Sequence, residues 1–290
     1  MKTKPLWQVS VRVSSEAEEA TTQWFEEFFH QYPSVYTDME TGEITVSVHL
    51  EKGTGMSRIK ENPVLKNITV KKLPPENWAE SWKRHFKPIE IGKKLLIKPS
   101  WDKRRARKGE HIVILDPGLS FGTGQHATTF FCLQQLTAYR QEKTRQSFLD
   151  IGSGSGILAI CAAKIGYHPV QAFDFDPQAV RISRENAARN KVSVKPQCKD
   201  LTKLPLRCAR KYDLICANLI YDLLISEAKK ITHRLKPTGH LILAGILISQ
   251  FPKVQAAYEK LGLRLVNSRE EKEWKSGEFQ FCNYCQSKIK

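Results

Sequence analysis

The sequence predicts an α/β chain: a large open sheet of mainly parallel strands, preceded by a smaller α+β module. Three observations carry this. From Phe148 to Asp176 a short apolar strand runs into Gly152-Ser153-Gly154-Ser155-Gly156, then an apolar helical stretch from Ile157 to Ala163, then a strand near Val170–Phe173 ending in Asp174 and Asp176. That order of strand, glycine turn, helix and strand is a nucleotide-binding βαβ unit. Strand-like and helix-like segments keep alternating beyond it, the pattern of a parallel sheet with crossover helices. Residues 1–73 read differently, as strand, helix, strand and strand.

Taken in order, Trp7, Val9, Val11 and Val13 alternate along a half-buried strand. Ser14 or Ser15 can cap the following helix, with Glu16, Glu18 and Glu19 in its first turn, where acidic groups oppose the helix dipole. The helix reaches about His30 and buries Ala20, Trp24 and Phe28. Strands follow at Ile44–Val48 and Asn67–Val70, and the set suggests a ferredoxin-like arrangement. From residue 74 to 110 the composition shifts: Pro74-Pro75, two indoles at Trp78 and Trp82 on one helical face, and strands near Ile89–Ile91 and Leu95–Lys98. This stretch reads as a linker joined to the edge of the larger domain, which occupies 111–290.

In that domain Ile112–Leu115 is a buried strand, followed by an irregular glycine-rich segment to Thr129 and a helix from Thr128 to Tyr139. After the βαβ unit, Pro177 starts a helix to Asn190, and Val192–Val194 reads as a short strand. Tyr212–Asn218 is a buried strand with a polar end, so Asn218 faces the crevice where open α/β sheets bind ligands. A helix from Asp222 to Leu235, a strand at Leu241–Ala244, a helix through Tyr258, and strands at Leu263–Val266 and Phe279–Tyr284 complete the sheet.

The glycine run narrows the ligand. A dinucleotide fingerprint needs a third glycine where this chain has Ile157, so the run is G-x-G-x-G. It resembles the loop of Rossmann-like S-adenosyl-L-methionine (SAM) methyltransferases, whose cofactor has no pyrophosphate. Asp174 stands where a carboxylate can accept both ribose hydroxyls. The competing reading is a plain glycine turn between buried elements.

Bulk properties bound the function. At 290 residues the chain has room for one full α/β domain and a smaller one. The opening residues MKTKPLWQV lack the apolar core of a signal peptide and no apolar run is long enough to span a bilayer, so a cytoplasmic protein without membrane contact is expected. Cys282 and Cys285 form an isolated C-x-x-C, read as packing in a final strand rather than as a metal site. The net charge of +16 fits contact with ribosomal RNA or simply a soluble basic surface. Lys103, Arg104, Arg105, Arg107 and Lys108 are the place to look for RNA contact.

Together the motifs LDPGLSFGTGQHATT (115–129), LDIGSGSGILAI, FDFDPQA, ANLI, AGILISQ (244–250), EEKEW (270–274) and WKRHFKPIEIGKKLLIKPSW (82–101) closely resemble the PrmA family, methyltransferases of large-subunit ribosomal protein L-eleven. The resemblance implies a seven-stranded Rossmann-like methyltransferase domain and an N-terminal substrate-recognition domain. It implies SAM bound by Thr129, Gly152, Asp174 and Asn218. It also places Phe121 and His126 of the matched loop beside methyl transfer. Beside the cofactor contact that the resemblance implies, the Asn218 side-chain carbonyl can accept an N–H of the incoming amine and aim its lone pair. His126 has two readings, as the base that accepts the amine's proton and as a structural hydrogen-bonding residue of the loop. The implied substrate is a lysine ε-amine or N-terminal α-amine of a ribosomal protein.

Alternatives are an RNA methyltransferase, a methylase of another protein, and a ribosome-associated binding protein without catalysis. Adenine amino-methylases commonly carry [DN]-P-P-[YFW], which holds a planar base amine by stacking. Here the run is Asn218-Leu219-Ile220-Tyr221, without either proline, which favours an aliphatic amine.

Overall fold

A computed structural model of the chain describes residues 6–38, 41–50, 68–73, 87–116 and 126–282. Its contacts divide into two compact units, Met1–His85 and Phe86–Lys290. The predicted linker, residues 74–110, straddles this division. Trp78, Trp82, Phe121 and Cys285 lie outside the described residues.

In the first unit, β1 (Leu6–Val13), β2 (Ser34–Thr37), β3 (Ile44–Leu50) and β4 (Thr69–Leu73) form one sheet in the order β2-β3-β1-β4, with every neighbouring pair antiparallel. Helix α1 (Glu18–Phe29) connects β1 to β2. This is the strand order of the ferredoxin-like arrangement. Val9, Val11, Val46 and Val48 face Phe25 in a small core, and Trp24 and Phe28 pack against it. Strand β2 escaped the sequence reading because all four of its residues are exposed, which leaves no alternation to detect.

The second unit holds two sheets. β5 (Ile89–Ile91), β6 (Leu95–Lys98) and β7 (His111–Ile114) form the smaller one. Asn190 ties it to the main body, accepting from the Ile114 amide and donating to the Ile114 carbonyl, both at 2.7 Å. The larger sheet has seven strands: β8 (Phe148–Ile151), β9 (Val170–Asp174), β10 (Gln197–Cys198), β11 (Tyr212–Asn218), β12 (Leu235–Leu247), β13 (Leu263–Glu271) and β14 (Trp274–Phe281). Their order is β10-β9-β8-β11-β12-β14-β13, and β14 runs antiparallel to both of its neighbours.

Helices cover both faces. α2 (Ala127–Tyr139) and α3 (Ile157–Lys164) bury one side, with Leu214, Cys216, Ile242 and Ala244 beneath them. α5 (Tyr221–Ser226), α6 (Ala228–His233) and α7 (Phe251–Glu259) bury the other, over Ile215, Ala217, Leu241 and Leu243. Successive residues of β11 and β12 therefore feed opposite cores, which explains why those strands read as unbroken apolar runs. Helix α4 (Pro177–Arg189) starts as its sequence requires: proline at the first turn and Asp176 accepting from the Gln178 amide at 2.8 Å.

Three predicted elements need correction. The strand expected at Val192–Val194 is a loop, and the pairing with β9 falls at β10 instead. The two valines are apolar because both pack into the core beside α4, not because they pair. The helix expected over 222–235 is two short helices meeting at Glu227, whose backbone leaves the helical region, and Leu235 already belongs to β12. The closing strands are longer than their apolar parts and form a hairpin turning at Lys272, in the left-handed region at φ 55°.

Glycine is demanded where α3 meets the sheet. Gly156 has φ +80°, and a Cβ there would lie 2.1 Å from the Ser183 hydroxyl and 3.3 Å from its Cα. Gly156→Ala is expected to destabilise the fold by about 2–4 kcal/mol, through backbone strain plus overpacking. Urea unfolding checks this as a lower midpoint at unchanged slope.

Candidate functional site

The site is built at the carboxyl ends of three adjacent strands. Ile151 of β8 pairs with Phe173 of β9 on one side and with Ala217 of β11 on the other. The chain leaves β8 towards β9 first and returns to place β11 on the opposite flank. This is the topological switch point at which open α/β sheets leave a crevice.

On the β9 side, Gly152 and Ser153 donate backbone bonds to the Phe173 carbonyl at 3.0 and 3.1 Å, holding the glycine turn against the end of β9. Gly152, Gly154 and Gly156 all have positive φ. Asp174 is buried, and its carboxylate accepts from the Gly154 amide at 2.8 Å and the Asp176 amide at 3.1 Å. A carboxylate has about four acceptor positions, so two remain for a ligand. Beside it lies a cavity of about 190 Å³ lined by Gly152, Asp174, Phe175, Asp200, Leu201 and Leu219, among others, large enough for a nucleobase. Phe175 is 74% exposed at its edge. The Thr202 hydroxyl and amide both bond the Asp200 carboxylate and hold it below its ordinary range.

On the β11 side, Asn218 closes the strand. Its Nδ2 donates to Thr128 Oγ1 at 3.2 Å and Thr129 Oγ1 at 3.4 Å, from the first turn of α2. Thr128 Oγ1 in turn lies 2.8 Å from His126 Nδ1. The Thr128 hydroxyl thus bridges the Asn218 amide nitrogen, which donates to it, and the His126 ring. The edge of the His126 ring meets Trp274, centroids 5.1 Å apart, so the last hairpin also touches this corner. Leu219 joins the two halves, because its Cδ2 occupies the space above Gly152: a Cβ there would lie 2.4 Å away.

Of the residues singled out in the sequence, Thr129, His126 and Asn218 come together at one end of the crevice, and Gly152 and Asp174 at the other. The sequence reading missed Thr128, Phe175, Asp200 and Leu219. Thr128 sat unmarked beside Thr129; Phe175 was hidden inside FDFDP as an exposed aromatic between two aspartates. Trp274 ends the EEKEW motif, where nothing in the sequence ties it to His126.

Below the site, Asp150 of β8 is buried and accepts from the Ala159 amide of α3 at 3.2 Å. Burial pushes its carboxyl up from 3.8 to about 7; the Ala159 amide pulls the other way, and Asp174 adds to the rise. Between those values the folded chain holds a proton that the unfolded chain has lost. This group's contribution to stability is therefore full at the acid end and is lost as pH rises through about 7. Asp150→Asn is expected to flatten a decline of up to about 1.4 kcal/mol per pH unit in that window. Urea unfolding of both proteins at a series of pH values tests it; parallel curves would count against a buried protonated carboxyl.

Among the basic residues picked out for RNA contact, Arg107 pairs with Glu90 at 3.0 Å and Arg104 with Asp102 at 3.3 Å. Those two charges are partly answered, Arg104 within its own loop and Arg107 by strand β5. Among the described residues no cluster of His, Cys, Asp or Glu could hold a metal ion, and no helix is long and apolar enough to cross a membrane.

Comparison with known proteins adds to this geometry. Residues 9–281 match the family model described as Ribosomal protein L11 methyltransferase (PrmA). The chain is similar to a ribosomal protein L11 methyltransferase of Trichlorobacter lovleyi, 42% identical over 208 residues, covering 70% of this chain and 67% of that protein. A protein of the same name from Dictyoglomus thermophilum is 34% identical over 254 residues, 82% of each chain. Among solved structures, a ribosomal protein L11 methylase from Lactobacillus delbrueckii subsp. bulgaricus superposes with a TM-score of 0.60 at 28% identity, covering 68% of this chain and 99% of that one.

Proposed function

Because the chain belongs to the ribosomal protein L11 methyltransferase family, we propose that it methylates lysine ε-amines or the N-terminal α-amine of that ribosomal protein, with Asn218 aiming the incoming nitrogen. The cofactor is S-adenosyl-L-methionine, which when bound supplies a methyl group already activated on a sulfonium. The residues present fit it. Gly152 has no side chain to block the turn, Asp174 keeps free acceptor positions for ribose hydroxyls, and the adjoining cavity has an apolar wall. The Ser153 hydroxyl in the same loop is buried without a hydrogen-bond partner among the described residues, a polar group that a bound ligand can satisfy.

The observation that carries the reading is the posture of Asn218. Its amide nitrogen is committed to the two threonine hydroxyls, while Oδ1 takes no hydrogen bond among the described residues. A carbonyl oxygen so fixed can accept an N–H from the incoming amine and turn its lone pair into line, and positioning is most of what an activated donor requires. The amine must be neutral to attack. A free lysine has a pKa of about 10.4, and transfer into an apolar pocket beside a cation favours its neutral form. His126, by holding the Thr128 hydroxyl, fixes the rotamer on which Asn218 rests. The N-terminal unit, with the stretch that follows it, is the part available to hold the protein substrate.

The test is incubation of the purified chain with methyl-labelled SAM, a ribosomal protein fraction and ribosomal RNA. Label is expected in a protein of the large subunit, on lysine or the amino terminus. Label in RNA would replace this reading with a nucleic-acid methylase, for which the basic stretch 103–108 would then be the contact.

A further inference from the structure

We infer that Gly245 is a positioning residue for methyl transfer, acting through Asn218; the inference rests on the role proposed above for Asn218. Gly245 lies on β12, one residue past Ala244, which pairs with Asn218. There β12 breaks its register with β14: Leu243 pairs with Gly277 and Ile246 with Lys275, so one strand advances three residues while the other advances two. The extra residue is a bulge, and bulges re-aim groups at the ends of sheets. Gly245 adopts φ +82°, in the left-handed region that glycine alone enters freely.

The bulge has a specific neighbour. A Cβ on Gly245 would lie 2.8 Å from Asn218 Oδ1, 2.8 Å from the Leu219 carbonyl oxygen and 3.2 Å from the Leu219 amide nitrogen. Asn218 is thus held from two sides. The threonines of α2 fix its nitrogen, and the bare Cα of Gly245 leaves the room its oxygen occupies. The oxygen is the atom assigned to the amine. A methyl group at 245 displaces Oδ1 together with the Leu219 carbonyl, and an amide turned out of that contact loses its alignment with Thr128 and Thr129. Glycine here sets the direction of the acceptor, beyond permitting the turn.

The experiment separates this role from backbone strain. Gly109 has the same φ of +82° in the edge region of the second unit, and a Cβ there meets nothing within 4 Å. Gly109→Ala is therefore the matched control for strain. Gly245→Ala is expected to lower kcat for methyl transfer at saturating cofactor by about ten- to a hundred-fold, the range for a misplaced reacting group. S-adenosylhomocysteine affinity should stay within about threefold, and Gly109→Ala should transfer methyl groups at the unaltered rate. In an Asn218→Ala background, Gly245→Ala should add little further loss, since the residue it steers is gone.

Unchanged kcat in Gly245→Ala, or an equal additional loss in the Asn218→Ala background, would overturn the inference. If Gly245→Ala proves unstable, its melting temperature is compared with that of the double variant. Recovery on shortening Asn218 supports the collision, and no recovery refutes it. Failure of the unsubstituted chain to methylate a ribosomal protein would instead strike the underlying activity.

Discussion

Asn218→Ala is expected to lower the rate of methyl transfer by about a hundred- to a thousand-fold, the scale seen when one preorganised polar group is removed from a reacting centre. Cofactor affinity should fall by no more than about fivefold, the worth of one neutral hydrogen bond. The separation between the two is the informative quantity. Asn218 Nδ2 is tied to α2 through Thr128 and Thr129, so the side chain is part of the wall as well as a contact. Single-turnover rates at saturating cofactor, set beside calorimetric binding of S-adenosylhomocysteine, measure both. A rate that dropped only in step with affinity would leave Asn218 as a cofactor contact and remove the aiming role.

The second large effect belongs to Asp174. Asp174→Ala is expected to weaken S-adenosyl-L-methionine binding by at least about a hundredfold, because two hydroxyl bonds to a carboxylate are each worth roughly 1.5–3 kcal/mol. Part of the loss comes from the protein itself. The Gly154 amide would lose its acceptor at 2.8 Å, and the glycine turn would keep only its backbone bonds to the Phe173 carbonyl at the end of β9. Asp174→Asn distinguishes the shares: its carbonyl oxygen can still hold the Gly154 amide, so it should bind more tightly than the alanine variant and more weakly than the native chain. Calorimetry that found all three alike would confine Asp174 to loop architecture.

Most of the large sheet was legible because its strands are buried on both faces and separated by helices with clear starts, such as Asp176-Pro177. Segments whose burial is not periodic were not legible. β2 is exposed along its whole length, and Val192 and Val194 are core residues on irregular backbone, so apolarity without pairing misled the reading. The distal ends of β13 and β14 are polar and held by cross-strand bonds, which leave no composition signal. At the site, residue identity pointed to Gly152, Asp174 and Asn218, but not to the company they keep. That Thr128 links His126 to Asn218, or that Leu219 sits over Gly152, depends on elements brought together from distant parts of the sequence. Phe175 and Asp200 became visible once β9 and the loop after β10 were side by side around one cavity.

The strand order has a consequence for biosynthesis. β14 sits between β12 and β13, so during translation the flank of β12 stays unsatisfied until residues 274–281 have left the exit tunnel. Trp274, which touches His126, arrives with that same segment. A nascent chain stalled before it would carry a bare sheet flank, the kind that recruits other chains, and would leave His126 without its Trp274 contact. The aromatic neighbour of His126 is thus delivered in one piece with the hairpin that seals the sheet.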